Sequence, residues 1–333
     1  MIGVIAFTRR GARLGRRLAD GLGGSLHVPP RLAAETGETA YESLDGWTAE
    51  AWRSREALIF VGACGIAVRA VAPYAADKFT DPAVVAIDEA GHYAVALLSG
   101  HVGGANALAK RAAALTGGQA VITTATDVNG LFAVDVWARE RQLDIGSRDL
   151  AKAVSAAVLE GRPVGFSSDF PTEGALPAGL TLERQLLNIC VTDQIREAPG
   201  ALPLIPRSLA LGIGCRRGKS AEEIDDAVSE ALAKAGLDRR AVACAASIDL
   251  KKDEPGLLEL CSRWGIPLRT YSAEALRRVP GEFRPSELVR QVTGVDNVCE
   301  RAAVLAGGTL VVPKQAANGV TVAVARRNTT IYL

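Results

Sequence analysis

Short apolar runs alternate with amphipathic stretches along residues 1–125. The apolar runs predict strands, and the stretches whose apolar positions recur every three or four residues predict helices. The predicted strands are 2–7, 57–61, 84–88, 93–98 and 119–124, and the predicted helices are 11–22, 66–75 and 102–115. Strands and helices in alternation are typical of an α/β domain built on a mainly parallel sheet.

The same alternation returns after residue 206. The predicted strands are 209–213, 242–247 and 268–271, the predicted helices are 221–234, 255–264, 285–293 and 298–306, and 309–312 is expected to pair with 320–325 around the turn 315–319. Ser220, followed three residues later by Glu223, forms a capping-box pattern, and Pro255 opens its helix at a position that tolerates proline. This part of the chain therefore predicts a second α/β domain.

Residues 126–205 are less regular. Helices are predicted at 132–142 and 150–160, and extended segments at 164–168 and 188–192. Prolines interrupt the second half, so 199–206 is the best candidate for a linker. The predicted fold class is α/β: two three-layer α/β domains with mainly parallel sheets, at 1–125 and 206–333, joined by a smaller middle segment at 126–205.

Composition narrows the class of protein. Hydrophobic residues make up 48% of the 333, which excludes a disordered chain. Lys plus Arg number 38 against 37 Asp plus Glu, and only 5% of residues are aromatic, so nucleic-acid binding is not expected. An anionic small-molecule ligand is compatible with local clusters of basic residues.

Cysteine spacing and hydropathy bear on metals and location. The six cysteines lie far apart without a Cys-x-x-Cys pair, so the usual zinc and redox spacings are absent, and no protein-bound metal is expected. Free thiols suit a reducing cytoplasm, where we expect the protein to work. Apart from two histidines, segment 91–109 lacks acidic and basic side chains and is long enough to suggest a membrane span. Its histidines and glycines suit a soluble interior better.

The first candidate site is a glycine-rich turn from a predicted strand to a predicted helix. It contains Gly100, His101, Gly103, Gly104 and Asn106. Backbone N–H groups at a helix N-terminus favour negative charge, and a histidine at that opening suits a general base. Alternatively, the glycines only permit tight packing and His101 caps the helix.

Two further candidate groups lie at the ends of predicted strands. Thr124 ends strand 119–124 and Asp127 follows it, and in parallel sheets ligands gather beyond the carboxyl ends of strands. Asp127 could equally be a helix cap. Asp88 ends a buried run and could face a cleft, or could belong to a charged turn.

The strand-to-helix turn 212–220 resembles two phosphate-binding motifs and satisfies neither. A phosphate loop needs four residues between its first glycine and the Gly-Lys-Ser, whereas three follow Gly214. What remains is an anion-binding turn with Arg216 and Lys219. Lys251 and Lys314 follow or close later strands and could join the same rim, or could lie in solvated loops.

Several of these segments together resemble the CbiG family. The resemblance rests on 62–69, 78–89, 98–106 and 123–127 for the amino-terminal domain, and on 212–218, 247–254 and 312–314 for the carboxy-terminal domain, which is also similar to the stand-alone protein CobE. It implies a cobalt-precorrin-5A hydrolase of cobalamin biosynthesis, which opens a lactone and releases acetaldehyde. Cobalt would arrive with the substrate, and no cofactor would be needed.

The resemblance also suggests roles. His101 is expected to be the base, with Asp127 and Asp88 as further catalytic residues. The residues expected to bind substrate are Gly100, Gly103, Gly104, Asn106, Thr124, Gly214, Arg216, Lys219, Lys251 and Lys314. The backbone at Gly103 and Gly104 and the Thr124 hydroxyl would stabilise the oxyanion. The basic side chains would bind the substrate's carboxylates.

Two other functions remain open. A nicotinamide-dependent oxidoreductase would use the 212–218 turn and bind NADP, and a non-catalytic carrier of a corrinoid intermediate would share the basic rim without needing a base. A homodimer and transient contacts with other enzymes of the pathway are also compatible with the resemblance.

Overall fold

The structure, a computed structural model, describes residues 1–77, 80–101, 103–196 and 198–333, and only the backbone of residue 288. The chain divides into two compact units, Met1–Val136 and Trp137–Leu333. Residues 126–136 therefore belong to the first unit, whereas the sequence places them in the middle segment. The second unit contains the rest of that segment together with the whole of 206–333.

The first unit is built from alternating strands and helices. Its strands are β1 (Ile2–Ala6), β2 (Gly24–Val28), β3 (Thr39–Ala40), β4 (Ala57–Val61), β5 (Ala83–Ile87), β6 (Tyr93–Leu98) and β7 (Gln119–Val121). Its helices are α1 (Arg9–Leu22), α2 (Pro30–Thr36), α3 (Leu44–Ser54), α4 (Cys64–Val71), α5 (Ala105–Thr116) and α6 (Ala125–Val128), and α7 (Val134–Glu140) begins in it. Thr8 and Ser43 cap α1 and α3 by accepting backbone N–H bonds, which explains where these helices begin.

The strands of the first unit form one seven-stranded sheet in the order β3-β2-β1-β4-β5-β6-β7. Alternate residues of β4 face opposite sides, so Ile59 packs with α1 and α5 while Leu58 and Phe60 pack with α3 and α4. Both faces are therefore covered, which makes a three-layer α/β arrangement and confirms the predicted fold class for this part.

One pair of strands in this sheet reverses direction. All neighbours are parallel except β5 and β6, where Leu98 pairs with Val84 and Ala94 pairs with Ile87. The carboxyl ends of β6 and β7 therefore lie at the edge of the sheet where β1, β4 and β5 begin. We call this the β6/β7 edge.

The second unit begins with a smaller sheet. Its strands are β8 (Leu143–Ile145), β9 (Val164–Ser168), β11 (Leu180–Thr181), β12 (Asn188–Val191) and β13 (Ala201–Pro206), in the order β11-β9-β12-β13-β8, and helix α8 (Arg148–Leu159) follows β8. All neighbours are parallel except β13 and β8. The short strands β10 (Thr172–Glu173) and β19 (Ile331–Tyr332) form a separate parallel pair.

The predicted linker at 199–206 is wrong. Ala201–Pro206 is strand β13, which pairs with β12 on one side and with β8 on the other. Pro203 lacks an N–H, but its carbonyl still accepts the Gly146 N–H at 2.8 Å. Leu202, Leu204 and Ile205 are buried, so apolar residues between the prolines bring this segment into a core.

The rest of the second unit holds a five-stranded sheet in the order β16-β15-β14-β18-β17. Its strands are β14 (Leu209–Cys215), β15 (Val242–Ile248), β16 (Leu268–Tyr271), β17 (Thr309–Ala317) and β18 (Val320–Arg326). Its helices are α9 (Ala221–Lys234), α10 (Pro255–Trp264), α11 (Ala273–Arg277), α12 (Glu287–Thr293) and α13 (Cys299–Gly307). The predicted capping box of α9, the proline at the start of α10 and the pairing of β17 with β18 are confirmed. The sheet is mixed, because β18 runs antiparallel to both β14 and β17.

Candidate active site

Two turns of the first unit meet at the β6/β7 edge. The turn after β6 carries His101, and the turn after β7 carries Asp127 at the start of α6. Nε2 of His101 lies 2.8 Å from Oδ2 of Asp127, and Nδ1 of His101 lies 3.4 Å from Oδ2 of Asp135, in the first turn of α7. The Thr126 hydroxyl lies 3.1 Å from the same Nε2. The imidazole ring thus has a carboxylate at each nitrogen.

The Asp127 carboxylate is the centre of this cluster. Besides His101, its Oδ2 accepts hydrogen bonds from Nδ2 of Asn106 at 2.9 Å and from the Thr124 hydroxyl at 2.8 Å. Nδ2 of Asn106 also donates to Oγ1 of Thr124 at 2.8 Å. On the other side, Nζ of Lys110 lies 3.7 Å from Oδ1 of Asp127. The structure therefore brings together four of the residues that the sequence proposed, namely His101, Asn106, Thr124 and Asp127.

These contacts shift the ionisation of both groups. The Asp135 carboxylate does most to raise the pKa of His101; burial opposes this shift, and Asp127 adds to it. Burial opposes ionisation of Asp127, but hydrogen bonds from Thr124, His101 and Asn106 outweigh it and lower the pKa of its carboxyl. The side chains of His101, Asp127 and Asp135 are 17%, 26% and 12% exposed. Solvent can therefore reach the cluster only in part.

The glycines of the turn act mainly through close packing. A Cβ atom at Gly103 would lie 2.3 Å from Cβ of Ser99, and one at Gly100 would lie 2.8 Å from Oδ1 of Asn106. Gly104 has a φ of 86° and precedes α5. Its N–H donates to the His101 carbonyl at 3.0 Å, so it is not the free oxyanion donor that the sequence suggested. The N–H groups of residues 105 and 106 are likewise bonded, to carbonyls of the turn.

The structure separates Asp88 from this cluster. Asp88 follows β5 at the opposite edge of the sheet, where its carboxylate accepts the N–H groups of Ala90 and Tyr93 at 2.9 and 2.6 Å. The paired strands place about 13 Å between the two edges, at ~3.3 Å per residue over the four steps from Ala94 to Leu98. The strand direction therefore contradicts a joint catalytic role for Asp88 and His101. The hydrogen bonds of Asp88 match the alternative that it belongs to a charged turn.

A second group of predicted residues lies beyond the carboxyl end of β14. The Gly218 N–H donates to Oε1 of Glu254 at 2.7 Å, and Nζ of Lys251 pairs with Oε2 of the same carboxylate at 2.7 Å. Nζ of Lys219 pairs with Glu223, also at 2.7 Å. Two of the lysines predicted to bind anions, and one backbone donor, therefore already have an acidic partner in the protein.

The pKa of Glu254 is lowered despite the burial of its side chain. Its side chain is 5% exposed, and burial alone would favour the neutral acid. Hydrogen bonds from Lys251 and from the Gly218 backbone outweigh this effect and lower the pKa of Glu254. Arg216 remains exposed beside Gly319, whose carbonyl accepts the Arg216 N–H at 3.0 Å.

Two further predicted residues, Gly214 and Lys314, are held by partners in β18 and α13. The carbonyl of Gly214 accepts the Thr321 hydroxyl at 3.1 Å, and a Cβ at 214 would lie 2.7 Å from that hydroxyl. Lys314 lies in β17, and its N–H donates at 2.7 Å to Glu300, a carboxylate that is only 1% exposed. Glu300 thus fixes the backbone from which Lys314 extends.

Sequence reasoning missed Asp135 and Lys110 at the first site and Glu300 at the second. Thr126 and Glu254 lie in the segments 123–127 and 247–254 that the sequence singled out, but neither was assigned a role. Asp135 begins a predicted helix, where an acidic residue has an ordinary local reason to occur. Lys110 lies in the predicted helix that follows His101, four residues after Asn106, so helical spacing could have suggested it. The part of the predicted turn at residue 102 and the segment 78–79 lie outside the described residues.

Within the described ranges, no three or more His, Cys, Asp or Glu side chains are grouped so that they could hold a metal ion. In the same part of the chain, no helix combines the length and the apolar character that crossing a membrane would require.

Three family models match consecutive parts of the chain. The cobalamin synthesis G N-terminal model matches residues 46–127, the cobalamin biosynthesis central-region model matches 132–206, and the cobalamin synthesis G C-terminus model matches 209–325. The cluster around His101 therefore draws its residues from the first two matched regions, and Gly214, Arg216, Lys219 and Lys251 lie in the third.

Curated relatives agree with these matches. A protein named cobalt-precorrin-5A hydrolase from Salmonella typhimurium is 36% identical over 343 residues, which cover 96% of each chain. A protein of the same name from Priestia megaterium is 34% identical over 82% of this chain and 79% of its own. Protein CobE from a Sinorhizobium species is 35% identical over 101 residues, covering 30% of this chain and 66% of CobE.

Proposed function

Because the chain belongs to the CbiG family of cobalamin synthesis proteins, we propose that it is a hydrolase acting on cobalt-precorrin-5A in cobalamin biosynthesis. The observation that carries this proposal is the similarity to two proteins named cobalt-precorrin-5A hydrolase, at 36% and 34% identity over most of each chain. A polar cluster with a histidine between two carboxylates supports it, since ester hydrolysis needs a group that can take and return a proton.

We further propose that the reaction opens a δ-lactone and then releases acetaldehyde. Water adds to the lactone carbonyl, the ring C–O bond breaks, and the ring oxygen takes a proton to become a hydroxyl. In the second step, that hydroxyl loses its proton, the neighbouring C–C bond breaks, and its electron pair enters the cobalt-bound macrocycle. Cobalt is part of the substrate in this scheme, and the protein works without a cofactor of its own.

His101 is proposed as the base of the first step. Its Nε2 takes a proton from the attacking water and later returns it to the ring oxygen, which leaves the residue unchanged after each hydrolysis. The imidazolium formed in between lies 2.8 Å from the Asp127 carboxylate, which stabilises its charge. Since the Thr124 hydroxyl and both amide hydrogens of Asn106 are bonded within the cluster, we assign them to orienting Asp127 rather than to binding the oxyanion.

The substrate's carboxylates need cations. Lys110, whose side chain is 63% exposed, is a cation next to the His101 cluster, and we propose that it contacts a substrate carboxylate while hydrolysis proceeds. Arg216 is exposed at the rim of β14, and we propose it as a second contact. Lys219 and Lys251 are paired with Glu223 and Glu254, so binding through them would require competition with these partners.

The test is anaerobic turnover of cobalt-precorrin-5A with detection of acetaldehyde and of the ring-opened product. We expect His101→Gln to lower kcat by about 10²–10⁴-fold, the usual contribution of general base catalysis. His92→Gln is the matched control, because the His92 side chain is 74% exposed, and it should keep wild-type activity. Wild-type protein that binds the substrate without turning it over would instead indicate a carrier, and tight NADP binding would indicate an oxidoreductase.

We propose that the reaction takes place in the cytoplasm, in keeping with the free cysteines. A homodimer and transient contacts with other enzymes of the pathway remain proposals. Sedimentation of the purified protein, with and without substrate, tests the first of these.

A further inference from the structure

The two carboxylates beside His101 hold different positions on the ring. Asp127, on α6, lies at Nε2 together with the Thr126 hydroxyl. Asp135, on α7, lies at Nδ1 at 3.4 Å, and its side chain is the least exposed of the three. The Nε2 side therefore faces the polar cluster of Asp127, Asn106 and Thr124, while the Nδ1 side faces Asp135.

We propose that Asp135 is a positioning residue that holds the Nδ1–H of His101, so that Nε2 is the nitrogen that exchanges protons with water and substrate. This inference rests on the proposed function. Asp135 lies in the region matched by the central-region model, so it gives that region a defined share in the chemistry. Neither the relatives' names nor the family models assign such a role.

The chemistry of imidazole supports this assignment. A neutral imidazole carries one N–H, and the group that accepts this hydrogen decides which nitrogen keeps it. An ionised carboxylate only accepts, so each of the two favours a hydrogen on the nitrogen beside it, and the imidazolium carries both. Asp127 already accepts hydrogen bonds from Asn106 and Thr124, so it competes less strongly for a hydrogen of the ring. The ring therefore gives up the hydrogen on Nε2, which leaves the lone pair there, and keeps the one on Nδ1, beside Asp135. The Thr126 hydroxyl, 3.1 Å from Nε2, can donate to that lone pair until a water molecule replaces it. Asp127, 2.8 Å from Nε2, accepts the hydrogen that this nitrogen carries in the imidazolium, so it stabilises the protonated ring.

The charged groups around His101 also predict its titration. Asp127 on α6 and Asp135 on α7 both favour the imidazolium, and Lys110 on α5 acts in the opposite sense from beyond Asp127. Asp135 is the main cause of the raised pKa of His101. Replacing its charge should therefore lower the pKa of His101 and shift the acid limb of kcat/KM, along which His101 loses its proton, to lower pH.

The substrate-free test follows the imidazole signals by NMR in a pH titration. The chain has three histidines, and loss of one set of signals in His101→Gln assigns His101. We expect Asp135→Asn to lower the pKa of His101 by about one unit, as for loss of a nearby opposite charge. Asp149→Asn is the matched control, since Asp149 also lies in the first turn of a helix but is 95% exposed. An unchanged pKa of His101 in Asp135→Asn would overturn the inference.

Kinetics supply the second readout. We expect Asp135→Asn to lower kcat at least about 10–100-fold, the loss typical for carboxylates that orient a metal-binding histidine, with KM changed less than about threefold. Asp135→Glu, which keeps the charge, should hold the pKa of His101 above that in Asp135→Asn and recover part of kcat, and it serves if the asparagine variant does not fold. A loss confined to KM, or wild-type kcat in a folded Asp135→Asn, would refute the positioning role. Absence of turnover in the wild type would refute the proposed function, while the NMR titration would still decide whether Asp135 holds the ring.

Discussion

A buried ion pair joins the middle region to the carboxy-terminal region within the second unit. Nε and a terminal nitrogen of Arg326 lie 2.7 and 2.8 Å from the two oxygens of Asp193, and the Ser208 hydroxyl donates to the same carboxylate at 2.9 Å. Asp193 follows β12 and is 1% exposed, whereas Arg326 ends β18 and is 34% exposed. Two charge-assisted hydrogen bonds in this fork geometry are among the stronger polar contacts that proteins make.

Arg326→Met should destabilise the second unit. The substitution leaves the Asp193 carboxylate buried with the Ser208 hydroxyl as its remaining side-chain donor. Breaking a buried pair in this way typically costs 3–5 kcal/mol. Because Arg326 is about one third exposed, water can partly replace it, and we expect a loss of about 3 kcal/mol in the free energy of unfolding, near the lower end of that range.

Urea denaturation combined with amide hydrogen exchange tests this prediction, because exchange reports each part of the chain separately. Protection should fall throughout Trp137–Leu333 and stay unchanged in Met1–Val136. Arg263→Met is the matched control, since Arg263 forms exposed pairs with Glu222 and Glu259 in the same unit. A loss below about 1 kcal/mol would show that water solvates Asp193 freely and would contradict the buried-pair reasoning. A loss confined to 206–333 would show that the middle region is stable on its own.

Two further predictions concern the His101 cluster. The raised pKa of the His101 imidazole stabilises the first unit at pH values below 6.5, the ordinary pKa of histidine, and this contribution is lost as pH rises through the raised pKa. The lowered pKa of the Asp127 carboxyl stabilises the unit at pH values above 3.8, the ordinary pKa of aspartate, and this contribution is lost as pH falls through the lowered pKa. The stability difference between wild type and His101→Gln, measured by urea denaturation, should therefore be largest between those two values, and a difference independent of pH would contradict the ion pairing. Gly103→Ala should cost about 1–3 kcal/mol and lower the melting temperature by several degrees, because its Cβ would lie 2.3 Å from that of Ser99. Gly65→Ala, whose Cβ would meet its nearest atom at 3.5 Å, is the control, and equal melting temperatures for the two variants would contradict the packing argument.

Local sequence signals predicted elements well where the chain supplies its own boundary. The capping box at Ser220 and Glu223 and the proline at 255 fix helices α9 and α10 at their predicted starts. The strands β4, β6, β9 and β16 have the predicted bounds. β4 and β6 are short apolar runs between polar residues or turns, whereas β9 and β16 mix apolar with polar residues. The prediction of a linker at 199–206 failed because prolines indicate a break in the local pattern, whereas pairing between two neighbouring strands is a tertiary effect that the local sequence does not show.

Some of the residues that form the His101 site could be predicted from the sequence. His101, Asn106, Thr124 and Asp127 were each proposed from the sequence, and they follow or end consecutive parallel strands, β6 and β7, whose carboxyl ends meet at one edge of the sheet. Asp135 was not predictable, because its contact with His101 depends on how the chain returns after α6. The free-donor role of the Gly104 N–H failed for another reason: the turn bonds its own backbone, which glycine spacing alone does not show.

The separation of Asp88 from His101 follows from a signal that was present in the sequence. Only five residues lie between Ile87, which ends β5, and Tyr93, which begins β6. A crossover between adjacent parallel strands needs a dozen or more residues, so two strands this close along the chain must pair in antiparallel fashion. The residues after β5 and those after β6 then lie at opposite edges of the sheet, and the same catalytic centre cannot use both. Connection length therefore decides which strand-end residues can share a site, and here it selects His101 with Asp127 and excludes His101 with Asp88.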